Sequence, residues 1–377
     1  MNDLGNPTRG VSRRLALARV LTLGTTLAVA GACGATDQPT SGPSGSPVSA
    51  QPSGPPVLGV DWARAVSVER PVNFEADPSA SAYTGTHPIL RIPGQATMAD
   101  VVGLPDGGFA AVGYEPPGWV PAAWTSADGA NWSIHEMGTT GFTFPVALAL
   151  GADGTLVAVG RSGQAPTAWT SVDGISWEQH SVPVPGDSGV AERMTTVVAG
   201  KRGYVAGGSV GPELFERHAR FWTSADGIDW QPVPDDPAAF ATAEVRAITT
   251  FGDGFVAVGS DLDRREAVAW TSADGRSWTR APVEASRQWP GGYVWMTDVV
   301  AIGDTVIAIG EDQGLQRGTA TSWVSRDGLR WDRARTAPVQ EQGEFYAITP
   351  GGPGAIVVGS FGAPDSYVPT VWLSPGR

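Results

Sequence analysis

The chain has 377 residues, with 38 acidic against 25 basic side chains and a formal net charge of −13. That balance excludes a nucleic-acid binder that works by neutralising phosphates with lysine and arginine, and a domain that adheres to anionic lipid through its own surface. A single cysteine leaves no internal disulfide, so the folded part is held by burial alone, which a domain of about 300 residues can supply.

Arg9, Arg13, Arg14 and Arg19 make a positively charged opening, and the apolar run from Val20 to Ala32 is too short to cross a bilayer as a mature helix. Residues 1–32 therefore read as an export signal. They hold four arginines and one aspartate, so the chain without them is formally −16. The closing Ala30-Gly-Ala-Cys33 resembles the lipobox of bacterial lipoproteins, with Ala30 where leucine is commoner. That resemblance implies cleavage before Cys33, a diacylglyceryl thioether on its sulfur, and an extracytoplasmic protein lipid-anchored to the outer face of the bacterial cytoplasmic membrane. Ser12-Arg-Arg-Leu15 resembles a twin-arginine signal, with Ala16 as a departure, and the export route stays open. Residues 33–56, rich in Ser, Pro, Gly and Thr, bury too little apolar surface to fold and read as a disordered tether.

From residue 57 onward the chain is repetitive. Trp-Thr-Ser-x-Asp-Gly-x-x-Trp stands at Trp124–Trp132, Trp169–Trp177, Trp222–Trp230 and Trp270–Trp278. A variant runs from Trp323 to Trp331, and a truncated copy begins at Trp372. A period near fifty residues means stacked copies of one supersecondary unit. Each copy also holds an apolar strand, a Gly/Asp turn, and a second apolar strand ending in glycine (Gly113, Gly160, Gly208, Gly259, Gly310 and Gly359). Four antiparallel strands per copy make the blade of a β-propeller, so the fold expected over 57–377 is all-β and six-bladed. The last copy stops after its third strand. Gly59-Val-Asp-Trp62 resembles Gly227-Ile-Asp-Trp230, so an N-terminal strand is expected to close the last blade, with 63–96 as an insertion before blade one.

Within each hairpin, Asp128, Asp173, Asp226, Asp274 and Asp327 are expected to accept turn N–H groups. Gly129, Gly174, Gly227, Gly275 and Gly328 are expected at positive φ. A three-residue Ala-Asp-Gly loop would set Trp124 opposite Trp132 as a stacked pair. These aspartates are read as structural, neither catalytic nor calcium-binding. Ser-x-Asp-Gly-x-x-Trp resembles the Asp-box, or bacterial neuraminidase repeat, whose own form Ser-x-Asp-x-Gly-x-Thr-Trp is one residue longer. The resemblance covers residues 97–377. It implies a propeller of the kind found in sialidases and photosystem assembly factors, and it says little about activity, because the motif occurs in enzymes and binding modules alike.

Antiparallel order sorts the loops. The short Gly/Asp turns share one end of the blades, and the long variable loops share the other, where a binding site is expected. Tyr114–Trp119, Phe142-Thr-Phe144 and Trp289–Trp295, with Tyr293, make that end aromatic and fit for sugar rings or a protein partner. Aligning the inner strands places Asp100, Ala147, Thr196, Arg246, Asp298 and Tyr346 around the channel mouth, as a polar pocket or as solvated lining. Arg91-Ile-Pro93 resembles the sialidase motif whose arginine opens a carboxylate-binding triad. Arg193 and Arg246 would then be the other two guanidinium groups, and Tyr346 with Glu344 the nucleophile pair. The histidines (His87, His135, His180 and His218) lack metal-ligand spacing, so no metal and no cofactor are expected.

The function expected is a surface-anchored binding module for an envelope glycan, protein or small ligand, acting as a monomer. A sialidase-like glycoside hydrolase and an assembly factor for a membrane complex are the alternatives.

Overall fold

The computed structural model describes residues 65–67, 97–115, 119–129, 131–138, 142–184, 191–211, 217–281, 283, 292–313, 318–334, 343–351, 354–361 and 368–373. Cys33, the tether, Trp62, His87, Arg91 and Trp289 lie outside the described residues. Six antiparallel sheets of four strands are present. The first strand of each, innermost in the blade, runs over Thr97–Gly103, Thr143–Leu150, Glu192–Gly200, Ala243–Phe251, Tyr293–Ile302 and Gly343–Gly351. In blade three the others are Gly203–Val210, His218–Ser224 and Trp230–Pro232. Inner strands of successive blades from one to six lie against each other, which makes the fold a six-bladed β-propeller. No helix among the described residues is long and apolar enough to cross a membrane.

The last blade is closed by Ala65–Ser67, which pairs with Val368–Leu373. Ala65 stands opposite Trp372, inside the stretch 63–96 that reads as an insertion. In the other blades the first tryptophan of the phrase pairs with the residue ten positions on, as Trp222 does with Pro232.

The repeated apolar residues explain the stacking. Trp169, Trp222, Trp270, Trp323 and Trp372 are all fully buried. Each sits in the seam against the preceding blade: Trp222 joins Val157 and Val159 of blade two, and Trp323 joins Val256 and Val258 of blade four. Burying such a ring removes well over 100 Å² from water and is a principal driving force for blade stacking.

The hairpin departs from the expected geometry. Five residues, not three, separate the paired Ser224 and Trp230. Trp124 therefore pairs with Ile134, and the two tryptophans of a phrase are not a cross-strand stack. Side chains hold the longer loop. The Ser224 hydroxyl accepts the Gly227 N–H at 2.9 Å, and Asp226 Oδ1 accepts the N–H groups of Ile228 and Asp229 at 2.8 and 2.9 Å. The Trp230 indole N–H then donates to the Gly227 carbonyl at 2.9 Å. Blades two, four and five repeat all of these bonds. The five turn glycines have φ between +71° and +81°, as expected.

Every inner strand also carries a β-bulge near its start, between Met194 and Thr196 in blade three. The bulge explains the glycine that ends each second strand. A Cβ on Gly208 would drive into the Arg193 carbonyl, and the five equivalent glycines face the same obstacle.

Candidate functional site

The bulge decides which side chains share a position. Its extra residue is Ala99, Val146, Thr195, Arg246, Thr297 or Tyr346 in blades one to six. The ring Asp100, Ala147, Thr196, Arg246, Asp298 and Tyr346 is therefore not a single ring. Arg246 and Tyr346 are bulge residues, and the other four stand one place deeper.

The deeper position is buried and joins blades. Asp100 Oδ2 accepts the Leu148 N–H at 2.9 Å, and Asp298 Oδ2 accepts the Ile348 N–H at 2.9 Å. Thr196 Oγ1 accepts the Ile248 N–H at 3.3 Å. These bonds fasten blades one to two, three to four and five to six, while Ala147, Ala247 and Ala347 occupy the same place in the blades between. Asp100 and Asp298 are about 5% exposed (6% and 4%), so they line no solvated mouth.

The next ring toward the variable-loop end lies two residues before each bulge residue, and Trp295 is buried within it. It reads Thr97, Phe144, Arg193, Glu244, Trp295 and Glu344, each one pairing beyond the conserved-register glycine of the second strand. Glu244 is central to it. Arg246 Nε and Nη2 approach Glu244 Oε1 at 2.9 and 2.6 Å, Ser260 Oγ donates to the same oxygen at 3.2 Å, and Arg217 Nη1 meets Oε2 at 3.2 Å. Burial alone would raise the Glu244 carboxyl, but Arg246 and then Arg217 outweigh it and hold it below the usual range. The Arg246 guanidinium lies 5.6 Å from the Trp295 ring centroid, and Trp295 packs on Tyr293 at 5.1 Å.

Toward blade one the ring becomes aromatic. Phe144 packs on Tyr114 and Trp119 at centroid distances of 5.2 and 5.6 Å, and Arg161 lies 4.4 Å over the Phe144 ring. Phe142 is 65% exposed. Trp119 (φ +52°) and Phe142 (φ +41°) have left-handed backbone, as do Thr242 and Arg265 on the same end. Backbone bonds hold this conformation: the Trp119 carbonyl accepts the Thr143 N–H of the next blade, and the Arg265 carbonyl accepts the Val294 N–H.

The described residues thus bring Trp119, Arg193, Arg246, Tyr293 and Trp295 onto one end of blades one to five. In blade six the Tyr346 hydroxyl donates to Glu344 Oε2 at 2.9 Å. Sequence reading missed Arg161, Arg217 and Glu244, although the shared spacing of Glu244-Val-Arg246 and Glu344-Phe-Tyr346 marks one position in two blades. His135 and His180 bond Thr125 and Thr170 of the repeat phrase at 2.7 and 2.8 Å.

The sequence matches no protein-family model and no curated protein. Among solved structures it is similar to a Trypanosoma rangeli sialidase in complex with the inhibitor DANA, at 11% identity and TM-score 0.49, over 75% of this chain and 55% of that one. It is similar to YCF48 bound to D1 peptide, at 13% identity and TM-score 0.46, over 76% of this chain and 94% of that one. It is also similar to a Kuenenia stuttgartiensis hydrazine synthase, at 12% identity and TM-score 0.48, over 74% and 79%. The match spans little more than half the length of the sialidase. At these identities and scores the likenesses add nothing to the fold read from the sheets themselves.

Proposed function

We propose that this protein is a propeller-borne binding module, held at the outer face of the cytoplasmic membrane by lipid on Cys33, with the variable-loop end as its ligand surface. One observation carries this reading. Among the described residues, all four non-glycine residues with left-handed backbone lie on that end, and two of them are aromatic. Strain of this kind persists where the surroundings over-determine it, and it clusters at ligand-contacting sites. Ala65, the first described residue, pairs with Trp372 close to the turn end.

The test is a panel of immobilised envelope glycans, peptidoglycan fragments and small ligands probed with the full-length protein. Binding should fall on Phe142→Ala and Trp119→Ala and persist in Arg276→Ala at the turn end. Binding indifferent to Phe142 and Trp119, or no binding across the panel, overturns the reading. Metabolic labelling with a palmitate analogue should be lost in Cys33→Ser, and labelling that survives removes the anchor.

The hydrogen-bonded Tyr346–Glu344 pair favours a second reading, a glycoside hydrolase of sialidase type. Against it, the Arg246 guanidinium is already engaged by Glu244. Turnover of a fluorogenic sialoside that disappears in Tyr346→Phe would put the hydrolase in place of the binding module.

A further inference from the structure

Among the described residues five large apolar side chains are exposed, and only Phe142 of these lies at the variable-loop end. Val172, Ile175, Ile228 and Leu329 all stand in the turns that join third and fourth strands. Ile175, Ile228 and Leu329 hold one loop position, directly after the turn glycine, and Arg276 holds it in blade four. There the backbone N–H donates to the turn aspartate at 2.8 Å in all four blades, so the bond fixes the main chain and asks nothing of the side chain. Val172 is 83% exposed and Ile175 51% exposed in the same blade-two loop. A lone apolar side chain on a surface needs no explanation, but four on one end, two of them in one loop, point to a face that something covers.

Charge on the same end says what covers it. The exposed turn residues of blades one and two include Asp106, Asp128, Asp153, Asp173 and Glu178, and no lysine or arginine stands in those loops. Blade five has the same aliphatic tip, Leu329, but sets it between Arg326 and Arg330, both exposed. The acidic loop 172–178 and the basic loop 326–330 complement each other, yet blades two and five stand opposite in a ring of six and cannot meet within one chain. Two copies can meet. We infer that the turn end is a self-complementary surface through which the protein pairs face to face with a second copy of itself, in place of the expected monomer. The two-fold axis crosses the turn end between blades three and four. It sets blade two of each copy on blade five of the other, and blade three on blade four. Val172 and Ile175 then cover Leu329, the guanidinium groups of Arg326 and Arg330 meet blade-two carboxylates, and Ile228 lies against the methylene stem of Arg276. An axis through blade two would instead set acid on acid and arginine on arginine. The two variable-loop ends point away from the interface, in opposite directions.

Sedimentation equilibrium of the full chain tests this, with Cys33→Ser in every sample so that lipid cannot drive association. The chain should pass with concentration from its own mass to twice that mass. Val172→Glu with Ile175→Glu should weaken the dimer about tenfold or more, and so should Arg326→Glu with Arg330→Glu, which adds like charge to an already acidic pair. Phe142→Ala at the other end should leave it unchanged. All four turn-end side chains are exposed, so thermal midpoints of the monomeric variants should match the parent's at high dilution and show that they are folded. A monomer at every concentration overturns the inference, as does a dimer indifferent to both turn-end pairs or one lost on Phe142→Ala. A chain that stays monomeric but binds a leucine–lysine amphipathic peptide, with binding lost on Ile175→Glu, would assign the face to a basic partner and likewise overturn the pairing.

Discussion

The two ends of the same strands handle left-handed backbone differently. At the turn end, every positive φ among the described residues belongs to glycine, as at Gly174, Gly227 and Gly328. At the variable-loop end it falls on Trp119, Phe142, Thr242 and Arg265 as well. The turn end is one solution repeated: a serine hydroxyl, an aspartate and an indole N–H satisfy the same backbone groups in blade after blade, and the glycine lets the preceding blade come close. The other end differs in each blade and retains conformations that cost about 1–2 kcal/mol per residue. Identical contacts that serve only stacking are fitted for stability. Contacts that differ from blade to blade at an energetic cost fit the ligand surface proposed above.

Glycine substitutions give the largest contrast. A Cβ on Gly227 would lie 2.5 Å from Val157 Cγ2 of blade two, at φ +81°. Left-handed strain and overpacking together should make Gly227→Ala cost about 3 kcal/mol in chemical denaturation. Gly163, at φ +60° on the variable-loop end, has nothing within 4 Å of such a Cβ. Gly163→Ala should cost only about 1 kcal/mol, the backbone strain alone. Equal losses at the two sites would erase the distinction between the ends.

A smaller effect of opposite sign is expected at Phe142. Replacing this exposed, left-handed phenylalanine by glycine relieves strain, so Phe142→Gly should raise stability by about 0.5–1 kcal/mol while weakening ligand binding. A variant both less stable and unchanged in binding would show that the phenylalanine serves the fold.

The smallest effect is that of pH on the turns. Backbone N–H bonds from Ser176 and Ile175 hold the Asp173 carboxyl below the ordinary value, and those from Asp229 and Ile228 do the same for Asp226. A folded-state value below the unfolded one contributes stability that is complete above the unfolded pKa and is lost as pH falls through the folded one. These carboxylates are solvent-exposed and screened, so the contribution of each is modest. The thermal midpoint should decline as pH drops below about 4, the unfolded aspartate value. The decline should be shallower in the Asp173→Asn, Asp226→Asn double variant, and an unchanged slope would assign the acid sensitivity elsewhere.

The fold was legible because its signals are local and repeated. Trp-Thr-Ser-x-Asp-Gly and the glycine-ended second strand recur at a fixed period, and a truncated last copy requires a strand from the other terminus. The hairpin length was misread, since side-chain bonds from Ser224 and Asp226 replace the ladder for two residues beyond a minimal loop. The site was legible only in pieces. Arg193 and Trp295 stood out by residue type, but Asp100 and Asp298 looked like mouth residues and proved to be buried fasteners between blades.

The sequence by itself determined the number of blades, the chemistry of their turns and the end on which variation gathers, because each rests on contacts made within one repeat. Only the tertiary structure decided which side chains meet. A one-residue bulge in each inner strand sets whether a side chain reaches the mouth or the seam, and Glu244 draws Arg217 from the neighbouring blade and Arg246 from its own. Periodicity fixes what every copy shares, whereas a site built across copies depends on how they pack against one another.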